Sequence, residues 1–465
     1  LSVALVAGGG MAARSMSAPA AGAAGGAEGR RLATPVLSPR RAPTLLTSHV
    51  AQIRLTSRLD AILDDAGLGA ARETTCLTVE DGEAAIYRRR PDERLVPAST
   101  AKVLTGMAAL RRLGEDFRFV TEVRAAAAPA GGVVDGPLWL VGAGDPLLAT
   151  AAYAASFRNQ PQVYTPLETL ADEVVAAGVR EVRGGVVGDE SRFDDVRYVP
   201  TWKPGYRTDN EVGPVSALVV NDNFAQYRPQ KAIATDAPAR HGAAVLTALL
   251  RERGVVVGEP GQGTAPAGAG KVAAVSSVPL PEVVGQMLRE SDNMTAEVLT
   301  KELGRRFGAA GSWPEGIRVV RATVAEAGLP VEGYAALDGS GLDVGTRLSC
   351  TVLMDALDLA GAEGPVAAGF PVAGQSGTLA DRFKGNPAEG RLRAKTGSLN
   401  NVAGLVGFVE AERGRLLEFA LLANGLPDRL ASGRALQERV GAALAGYPDA
   451  PSPESIGPLP TRAGG

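Results

Sequence analysis

Apolar side chains at Ile53, Leu55, Leu59, Ile62 and Leu63 recur at helical spacing and stop before Gly67, which predicts a helix over 50–66. Two short apolar runs, 76–79 and 84–87, flank Asp81-Gly82, a dipeptide suited to a tight turn, and predict a hairpin. A second helical pattern opens at Ser99 and runs through Val103, Leu104, Met107 and Leu110 towards Gly114. From about Phe117 the character changes. Brief alternating runs (120–123, 138–141, 185–187) sit among Gly, Pro and Asp, as in an inserted β-rich region, and the Gly/Pro/Ala stretch 258–270 reads as its closing linker. Helical spacing returns at 281–288 and 294–303, with Ser291-Asp292-Asn293 in the break. Strands follow at 394–399, 402–409 and 416–423, then a last helix over about 429–445.

This pattern divides the chain into a leader (1–46), a discontinuous main domain (47–116 and 272–447), an inserted accessory region (117–271) and a Pro-rich disordered tail (448–465). The insert is expected to be separable from the chemistry. The leader begins with an apolar run, Leu1 to Val6, and continues through Ala18-Pro19-Ala20, then a linker-like stretch over 12–46. It reads as the end of a secretory signal, with a disordered alanine/glycine leader as the bland alternative.

With 465 residues and 45% hydrophobic content, the chain can bury a large core. A net charge of -3 and the absence of any basic tract remove the electrostatic case for nucleic acid or an anionic membrane. Cys76 and Cys350 show no CxxC or Cys/His clustering, so no metal site is expected, and two buried, unpaired thiols are the favoured reading. The two histidines, His49 and His241, fall in the leader region and at a helix start, which leaves a serine nucleophile without a histidine base.

Lysine supplies the alternative. Ser99 and Lys102 lie three residues apart on a predicted helix, hence on one face. Of the lysines at 102, 203, 231, 271, 301, 384 and 395, only Lys102 has a serine three positions before it. The amine must lose its charge through burial and a neighbouring cation before it can take the serine proton, and Lys395 is the candidate cation. Arginine could not serve, because it does not deprotonate. The helix start adds partial positive charge where an oxyanion would form. Ser291 offers a hydroxyl able to pass a proton, and Asn293 an amide able to bind a peptide backbone. Taken alone, the tripeptide is an ordinary helix cap. A second S-x-N match lies at Ser398 to Asn400. Lys395, Thr396, Gly397 and Ser398 place a cation and hydroxyls on a strand whose glycine permits close approach by a ligand backbone.

In order, these read S-x-x-K, S-x-N and K-T-G, and the chain resembles the class C low-molecular-mass penicillin-binding proteins, D-alanyl-D-alanine carboxypeptidases and endopeptidases. Gly144-Asp145-Pro146, the run Gly188 to Phe193, Asp338 to Leu342, and the stretches at 371–374 and 377–379 extend the likeness over about 50–445. Asp145, Asp189 and Asp338 read as turn residues rather than catalysts. The resemblance implies an α/β (α+β) fold, an antiparallel sheet flanked by helices with the insert attached. It also implies a Ser99 acyl-enzyme on peptidoglycan stem peptides ending in D-Ala-D-Ala, with β-lactams as covalent inhibitors, no cofactor, and an exported protein of the cell envelope. Ser99 and Ser398 would supply the backbone N–H groups of an oxyanion hole, while Lys395, Thr396 and Ser398 would hold the terminal carboxylate. The alternatives are a β-lactamase-like hydrolase, for which no deacylating carboxylate motif can be placed, and a wall-binding protein with a dead site, against which the intact motifs argue.

Overall fold

The computed structural model describes residues 42–428 and 430–452. The predicted signal segment and most of the predicted tail, 453–465, lie outside them.

The strands Leu392–Leu399, Val402–Glu410 and Leu416–Asn424 form a meander, and the hairpin Thr75–Asp81/Ala84–Arg89 adds to its last edge. Every pairing in this five-stranded sheet is antiparallel. Successive side chains of a strand point to opposite faces, and here both faces are apolar, so both must be covered. Val406, Phe408, Ala420 and Leu422 pack with the helices Lys102–Leu113, Leu280–Glu290, Asn293–Phe307, Trp313–Glu326 and Cys350–Ala360. Leu405, Val409, Phe419 and Leu421 face the opposite way, onto Leu55 and Leu59 of the first helix and Leu436, Val440 and Leu444 of the last, Ala431–Ala445. The result is the expected antiparallel sheet between helical layers.

The cysteine expectation is overturned. Cys76 on the first strand and Cys350 at the start of its helix are joined by a disulfide across a sequence separation of 274. Sequence separation carries no information about distance. Both residues are fully buried on the same face of the sheet, and the bond ties that helix to a central strand.

The ends also differ from expectation. The first helix spans Ala42–Leu63, so it begins inside the stretch read as a linker. Asp449 pairs with Arg54 and Arg58, the Ala450 carbonyl accepts from Arg413 and the Tyr447 carbonyl from Glu412 N, so the chain is docked through Ala450.

The insert has a five-stranded sheet of its own, in the order 261–262, 186–189, 138–141, 120–125, 270–276. Its last strand, Gly270–Ser276, pairs with Val120–Ala125, so the insert ends near 276 rather than 271. Gly261–Gln262 is an edge strand and Ala265 N donates to Asp189 Oδ2, so the supposed linker 258–270 is built into the fold. The description β-rich is also incomplete. The helices Leu167–Ala176 and Pro238–Glu252 supply much of the core of the insert, through Leu170, Val174, Leu246 and Leu250, around strands too short to bury that surface alone.

Nor does the insert hang free of the main domain. Phe193, Trp202, Val212 and Val215 pack with Met294, Val298, Trp313 and Leu342. Arg192 grips the buried Glu302 with two hydrogen bonds of 2.7 and 2.6 Å, and the buried Lys301 pairs with Asp194 at 2.6 Å. These contacts lie on the helix that begins at Asn293, which sets the insert beside the candidate chemistry.

Candidate active site

Ser99 sits in a short 3-10 turn, Ala98–Ala101, that leads directly into the helix Lys102–Leu113. The α-helix proper thus starts three residues later than the sequence suggested. Ala98 adopts a left-handed conformation (φ 48°), and the turn is held by Thr100, whose Oγ1 donates to Pro97 O at 2.8 Å. Two glycines let other backbone segments clamp this turn. A Cβ on Gly397 would lie 2.6 Å from Pro97 O, and one on Gly341, itself at φ 79°, 2.0 Å from Ala98 O. Gly397 therefore serves the close fit of the strand to the serine turn, where the sequence had suggested approach by a ligand backbone.

Lys102 is fully buried, and its Nζ donates to Ser99 Oγ (2.8 Å), Asn293 Oδ1 (2.7 Å) and Ser340 O (2.9 Å). Burial outweighs the opposing pull of the carboxylates of Glu297, Asp292, Asp338 and Glu211 and brings the amine down to about 8. On the order of a tenth of it is then neutral at pH 7.

Ser291 caps the helix Leu280–Glu290 in a left-handed conformation (φ 61°), and Asp292 caps the next by accepting from Met294 N at 2.9 Å and Thr295 N at 3.0 Å. The cap reading of this tripeptide holds, and the same geometry turns its two flanking side chains to the lysines. Asn293 spends both ends of its amide, Oδ1 on Lys102 and Nδ2 on Glu211 O at 2.7 Å. Ser291 Oγ accepts from Lys395 Nζ at 2.8 Å. Ser398 and Asn400, the second S-x-N match, line the cleft but make no such link.

Lys395 is also fully buried and donates to Thr396 O at 2.6 Å. Burial first, then repulsion from Lys102, holds it well below the ordinary lysine value. Thr396 Oγ1 donates to Thr378 Oγ1 at 2.9 Å. Ser99, Ser291, Asn293, Thr396 and Ser398 line one cavity of about 490 Å³. The three motifs thus converge on a single cleft, and neither histidine is among the residues lining it.

Several contributors were not singled out from sequence. Glu297, fully buried and pushed up to about 7 by burial, accepts from Gly339 N (3.0 Å), Ser340 N (2.8 Å) and Trp313 Nε1 (2.6 Å), which anchors the backbone on the N-terminal side of Ser340, the residue whose carbonyl receives Lys102. Its position, four residues after Asn293 on one helix, was the available signal. Tyr206 and Glu211 bring the insert into the cleft wall, and Arg382 and Arg434 add positive charge to it. Asp145, Asp189 and Asp338 act as turn residues, each accepting from a nearby backbone N–H (Leu147, Ser191 and Gly341).

The model of the D-Ala-D-Ala carboxypeptidase 3 (S13) family matches residues 55–232 and 225–444. The chain is similar to a D-alanyl-D-alanine carboxypeptidase of an Actinomadura species, 31% identical with 89% of this chain and 88% of the relative covered. The structure is similar to that of penicillin binding protein 4 from Haemophilus influenzae, with a TM-score of 0.67 and 22% identity over 80% of this chain and 95% of that one. It is also similar to that protein complexed with a β-lactam, at a TM-score of 0.59 and 21% identity over 80% and 95%.

Proposed function

Since the chain belongs to the D-Ala-D-Ala carboxypeptidase 3 (S13) family, we propose that it is a serine-type carboxypeptidase acting on peptidoglycan stem peptides that end in D-Ala-D-Ala. The observation that carries this reading is the 2.8 Å contact between Lys102 Nζ and Ser99 Oγ at the wall of a cleft shared with Ser291 and Ser398.

Neutral Lys102 takes the Ser99 proton as Oγ bonds to the penultimate D-alanine carbonyl carbon. Ser291 relays a proton to the terminal D-alanine nitrogen as the C–N bond breaks, and water then cleaves the Ser99 ester. The backbone N–H groups of Ser99 and Ser398 receive the oxyanion. Lys395, Thr396 and Ser398 hold the terminal carboxylate, and Asn293 steers the peptide while fixing Lys102. Supporting these roles are the hydrogen-bonded chains Ser99–Lys102–Asn293 and Ser291–Lys395. Endopeptidase cleavage of a crosslink needs the same atoms in a larger substrate. Penicillins carry a comparable carboxylate and a strained amide, and acylate Ser99. The Cys76–Cys350 bond suits an oxidising compartment and an envelope location outside the cytoplasm. Among the described residues no helix is long and apolar enough to cross a membrane.

The test is covalent labelling by a fluorescent penicillin, with the modified peptide identified by mass spectrometry. An adduct on Ser99 is expected; an adduct elsewhere, or none in folded protein, would refute the assignment.

A further inference from the structure

Lys102 Nζ has two acceptors besides Ser99 Oγ, and the insert holds both. The first is Asn293 Oδ1 at 2.7 Å. An amide can present either end, but Asn293 Nδ2 donates to Glu211 O of the insert at 2.7 Å, so its oxygen is left to face the lysine. The second is Ser340 O at 2.9 Å. Ser340 belongs to the loop 338–343, which also brings Gly341 against Ala98 O and so meets the serine turn and the lysine together.

Asp338 ties that loop. It is 2% exposed, and it accepts from Gly341 N (2.9 Å), Asp343 N (2.7 Å) and Trp202 Nε1 (2.8 Å), with a longer bond from Thr346 Oγ1 (3.4 Å). Every partner donates, which suits a carboxylate rather than an acid. Only Trp202 comes from the insert. Burial pushes Asp338 above the ordinary carboxylate value, and the Trp202 N–H is foremost among the groups that draw it back. Trp202 is itself held firmly: its buried ring lies beside Trp313, centroids 6.0 Å apart, and the adjacent Thr201 donates to Asp343. It is not among the residues lining the cleft.

We propose that Trp202 is a positioning residue for acylation, holding Asp338 and with it the loop whose Ser340 carbonyl fixes Lys102 beside Ser99. Its effect on rate rests on the catalytic reading above; its effect on Lys102 does not. Asp338 is one of four carboxylates, with Glu297, Asp292 and Glu211, that favour the charged lysine, and Lys395 is the neighbouring cation. Asp338 in turn is faced by Asp343, Glu297 and Tyr334. Without the indole N–H, Asp338 takes up a proton more readily, the negative charge near Lys102 falls, and the lysine gives up its own proton at lower pH. A tryptophan that merely filled space would affect stability and leave this titration in place.

The test is Trp202→Phe, which keeps a ring and removes the N–H. The chain has seven lysines, so NMR of the full chain labelled with ¹³C at the lysine ε-carbon gives few signals, and the one missing from Lys102→Arg belongs to Lys102. In Trp202→Phe that signal should titrate at lower pH than in the parent, and penicillin acylation should fall about tenfold, the loss of one hydrogen bond to a charged group. Trp139→Phe, the same change within the insert's own sheet, should match the parent in both. Asp338→Asn should move the Lys102 titration in the same direction and decides the matter if Trp202→Phe does not fold. A Lys102 titration that stays in place in the deciding variant, or one that moves equally in Trp139→Phe, would overturn the role whatever the rate does. A titration that moves in a protein that penicillin does not acylate at Ser99 would uphold it and refute the catalytic reading instead.

Discussion

Lys395 Nζ stands 2.8 Å from Ser291 Oγ, which joins the third motif to the second. Since Asn293 in turn receives Lys102, the turn between the two helices touches both buried lysines at once. Two amines excluded from water have few ways to remain charged together, and the following expectations come from that arrangement and its surroundings.

Ser99→Ala should end penicillin labelling and D-alanine release while leaving the melting temperature close to that of the parent, because a half-buried hydroxyl adds little to the core. Lys102→Arg should be nearly as damaging as Lys102→Ala, with a loss of about 10²–10⁴ in acylation rate, since the retained charge cannot abstract a proton. Appreciable acylation by the arginine variant would reduce Lys102 to an electrostatic role.

The acylation rate should rise with pH through about 8, the value to which burial lowers Lys102, as the neutral amine accumulates. The charges that act on Lys102 are the carboxylates, Glu297 first, and they favour its charged form, so Glu297→Gln should shift the limb to lower pH. Lys395 takes the repulsion between the two amines on itself, so Lys395→Ala should leave the limb in place. Rates of β-lactam acylation across the pH range decide this, and a limb unmoved by Glu297→Gln would defeat the electrostatic account.

Gly397→Ala would place a methyl group 2.6 Å from Pro97 O and 3.2 Å from Thr100 N. The serine turn must then move off the strand. Acylation should fall at least about tenfold for a stability loss of about 1–3 kcal/mol, the range for overpacking. Thermal unfolding together with labelling rates measures both, and a parental labelling rate would show that the turn is not positioned by this contact.

Replacing residues 117–276 with a short linker removes Tyr206 and Glu211 from the cleft and uncovers Met294, Val298 and Trp313. Contrary to the separability suggested by sequence, acylation should be lost and the melting temperature should drop. A linker variant that folds and labels at the parental rate would restore the accessory-domain picture.

The main-domain elements were legible because each carries a local signal. The strand alternation at 402–409 and 416–423, the Asp81-Gly82 turn and the helical spacing after Ser99 appear where expected, within one or two residues at most ends. The helices of the insert were underweighted because its frequent Gly and Pro signal loops more strongly than Leu170, Val174 and Leu246 signal a packed face. Glu297 escaped notice for another reason. A carboxylate on a helix looks solvated until the fold buries it beneath the 339–340 peptide.

By itself the sequence determined the chemistry available to this protein: scarce lysines, one spaced to meet a serine, and three polar motifs embedded in a strong helix and strand pattern. Only the tertiary structure decided how that chemistry is held. Whether Cys76 meets Cys350, which carbonyl receives Lys102, whether Gly397 admits a ligand or the serine turn, and how far the insert reaches into the cleft all depend on contacts between residues far apart in the chain. Spacing along a helix or strand encodes short-range geometry, whereas long-range contacts arise from packing both faces of one sheet, which no local pattern records.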